Sequence, residues 1–235
     1  MMLTPDIVSK LRSDPVRKLV ARRDFDSLYD QFSKYERPAV TELFQELKVN
    51  LLDHLKGEFV PSFSYCSNQH LKLAKIPSSI VSIGECAFMS SEIEAVDFTE
   101  ANKLYHIEKD AFESSNIKSL IFPNSLHLID SFAFYECNSL ESVRLSSNIT
   151  KIGMACFAGC ESLSYLYLPR STPYIGKLAF EGCGYANGLT IEFGGTVGEF
   201  RDVIKVSSGT AFQGTSITVK CSNGELTYTT VGGWK

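Results

Sequence analysis

Apolar residues recur in a fixed order along most of this chain of 235 residues. In five segments a Phe follows an Ile by five positions, at Ile83/Phe88, Ile107/Phe112, Ile129/Phe134, Ile152/Phe157 and Ile175/Phe180. Successive Ile residues are 24, 22, 23 and 23 positions apart, a period typical of architectures that stack one short unit on the next. The pattern therefore predicts a solenoid.

A second apolar element lies between these segments, with apolar residues at a first position and at the third and fifth positions after it. The five sets are Leu71/Ala74/Ile76, Ile93/Val96/Phe98, Ile117/Leu120/Phe122, Leu140/Val143/Leu145 and Leu163/Leu166/Leu168. The last two positions of each set alternate with an outward residue, as a short strand requires. Proline follows three sets, at Pro77, Pro123 and Pro169, and ends the strand because it has no N–H to donate. Each unit is predicted to hold one strand, a turn and a compact segment from Ile to Phe.

The unit from Leu163 to Cys183 combines a Leu-x-x-Leu-x-Leu-Pro strand with a Tyr-Ile-Gly-x-x-Ala-Phe segment and a following Gly-Cys pair. It resembles the BspA-like (Treponema-type) leucine-rich repeats of bacterial surface proteins, some protists and some bacteriophages. The resemblance extends from about residue 59 to about residue 221. It implies an α/β leucine-rich-repeat solenoid with short parallel strands on its concave face, preceded here by a small helical N-terminal region.

Three regions follow from this division: residues 1–58 are a helical N-terminal cap or docking region, residues 59–193 hold the repeats, and residues 194–235 form a C-terminal capping segment. The last region resembles the ending of many family members, in which a short helix leads to a strand closing with Cys-x-x-Gly. A solenoid needs such a cap because its final repeat would otherwise expose core side chains. Among the repeats, Thr99–His106 carries a two-residue insertion relative to its neighbours.

The first region is predicted to contain three helices. The first begins at Asp14-Pro15, which supplies an N-cap and a proline at N1. The second covers residues 25–35, and the third runs from residue 38 to Gly57 at its C′ position. Two interpretations stay open: the helices cover the first repeat strand, or they attach the solenoid to a larger assembly.

The charge and the distribution of apolar residues argue against nucleic-acid and membrane partners. The formal net charge is −4 and the sequence pI is about 5.6, so the chain lacks the basic field that nucleic-acid binders use, and no nucleic-acid partner is expected. No apolar run approaches the roughly 20 residues of a membrane helix, and basic residues interrupt the N-terminus before a signal peptide could form. We therefore expect no membrane insertion and cytoplasmic synthesis, with virion or surface assembly by a signal-independent route.

Seven cysteines in a chain without an export signal indicate free thiols rather than disulfides. Cys137, Cys160 and Cys183 recur at intervals of 23 residues and so occupy one place in the repeat. A residue in that register is predicted to pack as a small buried side chain.

Catalytic patterns are not found in the sequence. The four histidines stand far apart, and none forms a metal-binding spacing with another histidine or a cysteine. The glycine-rich stretch 194–198 lacks the Lys-Ser/Thr that a phosphate-binding loop requires. The sequence therefore predicts no enzyme, no metal and no cofactor.

The predicted strand sheet offers a binding surface. One row of outward positions reads Lys75, Asp97, Ile121, Arg144 and Tyr167, and the adjacent row reads Leu73, Ala95, Ser119, Ser142 and Tyr165. Tyrosine and arginine are enriched in binding hot spots. The candidate partner-binding residues are Tyr165, Tyr167, Arg144, Ile121, Asp97 and Lys75. The alternative is that these side chains simply cover a sheet face.

The residues favour a non-catalytic module that presents a rigid surface to a protein, with a glycan as second candidate. The family resemblance implies adhesion or host-surface contact. The alternative function is structural: a phage tail-associated or capsid-decorating virion component, anchored through residues 1–58.

Overall fold

In a computed structural model of the chain, the residues described are 4–13, 25–46, 52, 55, 57–171, 174–185, 187–207, 210–229 and 233–234. Within these residues, four helices flank a body of short strands: α1 (Pro5–Arg12), α2 (Phe25–Tyr29), α3 (Arg37–Glu46) and α4 (Val197–Val206). The strands are β1 (Phe59–Val60), β2 (Leu73–Lys75), β3 (Ser82–Ile83), β4 (Ala95–Asp97), β5 (His106–Ile107), β6 (Ser119–Ile121), β7 (Leu128–Ile129), β8 (Ser142–Arg144), β9 (Lys151–Ile152), β10 (Tyr165–Leu168), β11 (Tyr174–Ile175), β12 (Leu189–Phe193), β13 (Ile217–Cys221), β14 (Gly224–Thr229) and β15 (Gly233–Trp234).

The chain forms a parallel-strand solenoid, as the sequence predicts. Strands β2 and β4 form a two-stranded sheet, and β6, β8, β10, β12, β13, β14 and β15 form a seven-stranded one. We call the face made by these two sheets the first sheet; the repeat pattern predicts its strands β2, β4, β6, β8 and β10. Each repeat also contributes a second strand, and β1, β3, β5, β7, β9 and β11 form a six-stranded second sheet. The prediction of one strand per unit was therefore incomplete.

Aromatic rings form a column through the core. The rings of Phe112, Phe134 and Phe157 stack with centroids 5.1 and 5.2 Å apart and interplanar angles of 4°. The column runs through Tyr65, Phe88, Phe112, Phe134, Phe157, Phe180 and Phe212. Tyr65 begins it, five residues after Val60, so one further unit precedes the five that the Ile and Phe pattern identifies.

Backbone hydrogen bonds join each repeat to the next along this column. We call the contact between two successive repeats a joint. At one joint, three N–H groups donate to carbonyls of the next repeat: Cys86 to Lys109, Phe88 to Ala111 and Ser90 to Glu113, at 3.1, 2.7 and 2.7 Å. Two of these donors are left-handed, since φ is 54° at Cys86 and 53° at Ser90. The residues equivalent to them in other repeats are also left-handed: Phe63, Asp110, Phe132, Ala155 and Leu178, and Ser67, Ser114, Glu136, Gly159 and Gly182. The conformation is unfavourable for residues with a Cβ, and the inter-repeat bonds it permits offset that cost.

The N-terminal helices differ from the prediction in their bounds. Helix α1 was not anticipated; it begins after Thr4, whose hydroxyl accepts the Ile7 N–H at 3.3 Å, and has a proline at its first turn. The helix predicted at Asp14-Pro15 lies outside the described residues. Helix α2 ends at Tyr29, before the predicted end, because residues 30–36 turn instead. Helix α3 begins where predicted, and most of the predicted continuation to Gly57 lies outside the described residues.

The helical region packs on the first repeat. The Arg37 guanidinium donates to the Ser62 carbonyl at 3.2 Å, and Lys34 Nζ lies 3.8 Å from the Glu85 carboxylate. The Tyr35 and Phe63 rings are 5.8 Å apart. Leu28, Tyr29 and Val40 are buried in the same apolar core as Val60. This packing is what a cap requires; attachment to an assembly stays a prediction.

The C-terminal segment contains the predicted turn, helix and strand. Thr196 and Glu199 form a capping box at the start of α4, each bonding the backbone N–H of the other. Strand β13 lies parallel to β12, and β14 then reverses to pair antiparallel with β13. This hairpin and the final strand were not predicted. The Trp234 ring closes the end with its centroid 5.5 Å from that of Phe200.

Candidate binding surface

Five outward residues of the first sheet form one continuous row. Ile121, Arg144, Tyr167, Glu192 and Lys220 are successive cross-strand partners on β6, β8, β10, β12 and β13. Partners on adjacent strands lie about 4.8 Å apart, so the row brings three of the predicted residues together. Glu192 and Lys220 were missed. Their signal is the same alternation of inward and outward residues, which continues along β12 and β13.

The two tyrosines are held in place by charged neighbours. The Arg144 guanidinium lies over the Tyr167 ring, 4.0 Å from its centroid, a cation–π contact. The Tyr165 hydroxyl donates to the Glu192 carboxylate, and this bond raises the pKa of the tyrosine. Both tyrosines are half-buried. Because each side chain is fixed before binding, a partner would meet a surface that needs little ordering.

A cavity of about 850 Å³ extends this surface towards the C-terminal cap. Tyr165, Glu192 and Lys220 line it together with Thr190 and Ser222. The lining combines both signs of charge and hydroxyl groups with the apolar side chain of Phe193. Its chemistry therefore suits a partner surface of mixed polar and apolar character.

The remaining predicted residues lie where the first sheet is interrupted. Lys75 on β2 and Asp97 on β4 are cross-strand neighbours in the strand register. However, β4 belongs to the two-stranded sheet and β6 to the seven-stranded one. Ile121 stands on the far side of this break, with 70% of its side chain exposed. The structure therefore divides the six predicted residues between two parts of the first sheet.

The second sheet presents a different set of side chains. His106 Nε2 lies 2.9 Å from Asp130 Oδ2, and Lys151 Nζ lies 3.9 Å from the same carboxylate. The His127 ring stacks on Tyr105 with centroids 4.7 Å apart. His106 and His127 thus lie in neighbouring repeats, and each contacts another side chain of the protein.

The cysteine ladder is buried and hydrogen-bonded. The thiols of Cys137, Cys160 and Cys183 donate to the carbonyls of Phe112, Phe134 and Phe157, at 3.1, 3.2 and 3.1 Å. Burial raises the pKa of Cys137 to about 11 and raises the pKa of the other two thiols as well. All seven cysteines are free. The ladder thiols are thus protonated at neutral pH and serve as donors between repeats.

We expect these three thiols to resist a thiol reagent in the folded protein, because the thiolate is the reactive form. Mass spectrometry after iodoacetamide treatment at neutral pH would count the labels, with half-buried Cys66 and Cys221 as internal controls. Unfolding should make every cysteine reactive. Fast native labelling of the ladder, or a disulfide within it, would contradict the assignment.

One group of potential metal ligands was not anticipated by the sequence. Single ligand atoms of Glu85, Cys86 and Asp110 all lie within 4.8 Å of one another. Burial raises the pKa of the Cys86 thiol to about 12, and the Asp110 carboxylate already pairs with Lys109 Nζ at 2.8 Å. A buried neutral thiol beside an ion pair accounts for this group without a metal.

Comparison with known proteins identifies the family to which the repeats belong. The sequence pattern of the BspA type leucine rich repeat region matches residues 58–187 in 6 copies, a range that includes the unit with Val60 and Tyr65. No curated protein matches the chain. Among the described residues, no helix combines the length and apolar character needed to cross a bilayer.

Solved structures similar to this chain include the following two. The pneumococcal vaccine antigen PcpA is 27% identical with a TM-score of 0.47, over 52% of this chain and 30% of that one. A leucine-rich repeat protein from Bacteroides ovatus is 22% identical with a TM-score of 0.39, over 59% of this chain and 49% of that one. The match spans less than half the length of either protein.

Proposed function

Because this chain belongs to the BspA-type leucine-rich-repeat family, we propose that it is a non-catalytic interaction module whose first sheet binds a protein partner. The single observation that carries the proposal is the row from Ile121 to Lys220, in which Arg144 lies 4.0 Å from the centroid of the Tyr167 ring. Rigid aromatic and arginine side chains on one face have the composition of binding hot spots. The partner itself is a protein whose contact residues complement this mixed charge.

The supporting scaffold does not need to move for binding. The outward side chains stand on strands whose inward neighbours, Val143 and Leu166, are fully buried. Side chains on adjacent strands keep their spacing because the ladder fixes the register. Binding would therefore cost little conformational entropy in this protein.

Replacing Tyr165 and Tyr167 together with Ser is expected to weaken binding of a protein partner by at least about 2 kcal/mol, as loss of a hot-spot pair does. Both side chains point outward, so the fold should persist, and circular dichroism would check it. Isothermal titration with the partner would measure the affinity.

The matched control is Tyr105→Ser together with Tyr174→Ser, because these tyrosines are 46% and 50% exposed and belong to the second-sheet side. This variant should bind normally. Replacing Tyr35 with Ser tests the helical region, because this residue is 73% exposed. Tyr29 in the same region could not serve, because it is buried and its loss would disturb the fold. If the first double variant binds normally while the Tyr35 variant does not bind, the helices rather than the first sheet are the interface.

The narrower roles stay predictions. Adhesion or host-surface contact, a virion role, a glycan partner and attachment through residues 1–58 have no supporting contact in the described residues. Stable association with phage particles would favour the virion role over a free binding module.

A further inference from the structure

A cleft opens where the first sheet is interrupted between β4 and β6. At the joint before the break, the Ile76 N–H donates to the Asp97 carbonyl at 2.9 Å, and at the joint after it, Phe122 donates to Arg144 at 3.1 Å. The equivalent bond from Phe98 to Ile121 is not formed among the described residues. The sheet is therefore open at this joint.

The opening coincides with the insertion that the sequence shows at Thr99–His106. The connection from Phe98 to the next strand is longer than the corresponding connection after Phe122. The Lys118 N–H still donates to the Glu94 carbonyl at 3.1 Å, so the strands stay adjacent at one end and separate at the other. The separation leaves a cleft of about 630 Å³ between the two strands. This volume is within the size range of ligand sites.

Asp97 carries the charge of this cleft. The other residues that the structure places in its lining are uncharged: Val96, Phe98, Thr99, Ala101, Asn102, Ser119, Ile121, Phe122, Pro123, Asn124 and Ser125. Asp97 Oδ1 accepts the Thr99 N–H at 2.9 Å and the Thr99 hydroxyl at 2.7 Å. These two bonds fix the carboxylate and lower its pKa, so it is ionised at neutral pH.

The second carboxylate oxygen accepts no hydrogen bond from the described residues. The cross-strand neighbour Lys75 lies near enough for its charge to help lower the pKa of Asp97, but it donates no hydrogen bond to the carboxylate. Ile121, which lines the same cleft, is 70% exposed, and Pro123 adds a second apolar residue to the lining. A fixed anion next to an apolar rim complements a cation on an aliphatic stem.

We propose that the cleft binds an arginine or lysine side chain of the protein partner, with its charged end on Asp97 Oδ2 and its aliphatic stem on Ile121. The inference rests on the proposed protein-binding function and names the chemistry of one group that this function would recognise. The Ile121 carbonyl, which accepts no inter-repeat bond from Phe98 among the described residues, offers a second acceptor for the same cation.

The test uses the full chain, labelled with ¹⁵N, and two small probes. N-acetyl-arginine amide carries the cation, whereas N-acetyl-citrulline amide has nearly the same shape without the charge. The arginine probe should shift the amide signals of Thr99, Asn102 and Asn124 and bind at least about threefold more tightly than the citrulline probe, since charge-assisted hydrogen bonds are the stronger ones. Equal binding of the two probes would overturn the proposal.

Two variants locate the site. Asp97→Asn keeps an oxygen for Thr99 but removes the charge, and should abolish the preference for the arginine probe. The matched control Glu161→Gln removes an exposed carboxylate that lies outside both the cleft and the row from Ile121 to Lys220, and it should leave the preference unchanged. If Glu161→Gln has the same effect as Asp97→Asn, the probe senses general charge and the cleft assignment is wrong.

The probe experiment can fail independently of the proposed function. If the arginine probe does not bind but the tyrosine double variant loses its partner, the first sheet is still an interface and only the cleft assignment falls. If the probe binds in the cleft but the tyrosine double variant keeps its partner, the cleft assignment stands, whereas the proposed binding role of Tyr165 and Tyr167 is wrong.

Discussion

Replacing Phe134 with Ala is expected to lower the free energy of unfolding by about 3–5 kcal/mol, the range for a buried phenylalanine. The ring is fully buried and stacks between Phe112 and Phe157 at 5.1 and 5.2 Å. Its loss leaves a gap in the column that neither neighbour can fill, because each is held by its own backbone bonds to the next repeat. The remaining repeats would lose contacts on both sides of the gap.

Equilibrium unfolding in urea, followed by circular dichroism, would measure this effect. Tyr185→Ala is the control, because this side chain is 84% exposed and its truncation should change stability by no more than about 0.5 kcal/mol. A loss below about 1 kcal/mol for Phe134→Ala would mean that the ring does not lie in the packed column.

Gly153→Ala is expected to cost about 2–3 kcal/mol although it adds a single methyl group. The new Cβ would overlap the backbone of Asp130 and Ser131 in the preceding repeat, including Ser131 Cα at 2.7 Å. These are backbone atoms, so relief requires the repeats to separate and strains the 2.8 Å bond from Gly153 N–H to the Ile129 carbonyl. Overpacking of this kind is destabilising by about 1–3 kcal/mol.

Gly198→Ala provides the opposite control. Gly198 lies in the first turn of α4, its φ is not left-handed, and the heavy atom nearest to the added Cβ is Thr196 Oγ1 at 3.9 Å. Alanine there should be neutral or stabilise by up to about 1 kcal/mol. Thermal unfolding of both variants would check the difference in sign. Equal stability would show that the joint at Gly153 is wider than the structure has it.

The repeat body could be predicted because core packing imposes a strict pattern on the sequence. Every inward Ile and Phe contacts its counterpart in the next repeat, so a polar residue at either position would be buried without a partner. The second sheet escaped prediction because its strands have two residues each, too few for alternation to be visible. The unit with Val60 and Tyr65 was missed because valine and tyrosine replace the usual Ile and Phe.

The arrangement of side chains on the candidate surface could be predicted in part, for the same reason. Alternation along β8 and β10 places Arg144 and Tyr167 on one face, and the structure has them in contact. The opening between Asp97 and Ile121 could not be foreseen, because an insertion specifies a longer connection but not which backbone bond it breaks. The carboxylate's fixed orientation depends on Thr99, two residues further along the chain.

The joints between repeats have a consequence for the gene. Each repeat offers donors and acceptors at the same positions, as the bonds from Phe88 to Ala111 and from Phe134 to Cys156 illustrate. An in-frame duplication or deletion of one whole unit would therefore reconnect equivalent groups and leave a complete column. Recombination within such a gene can therefore change the length of the protein in steps of one repeat while the segments that cap its two ends stay the same.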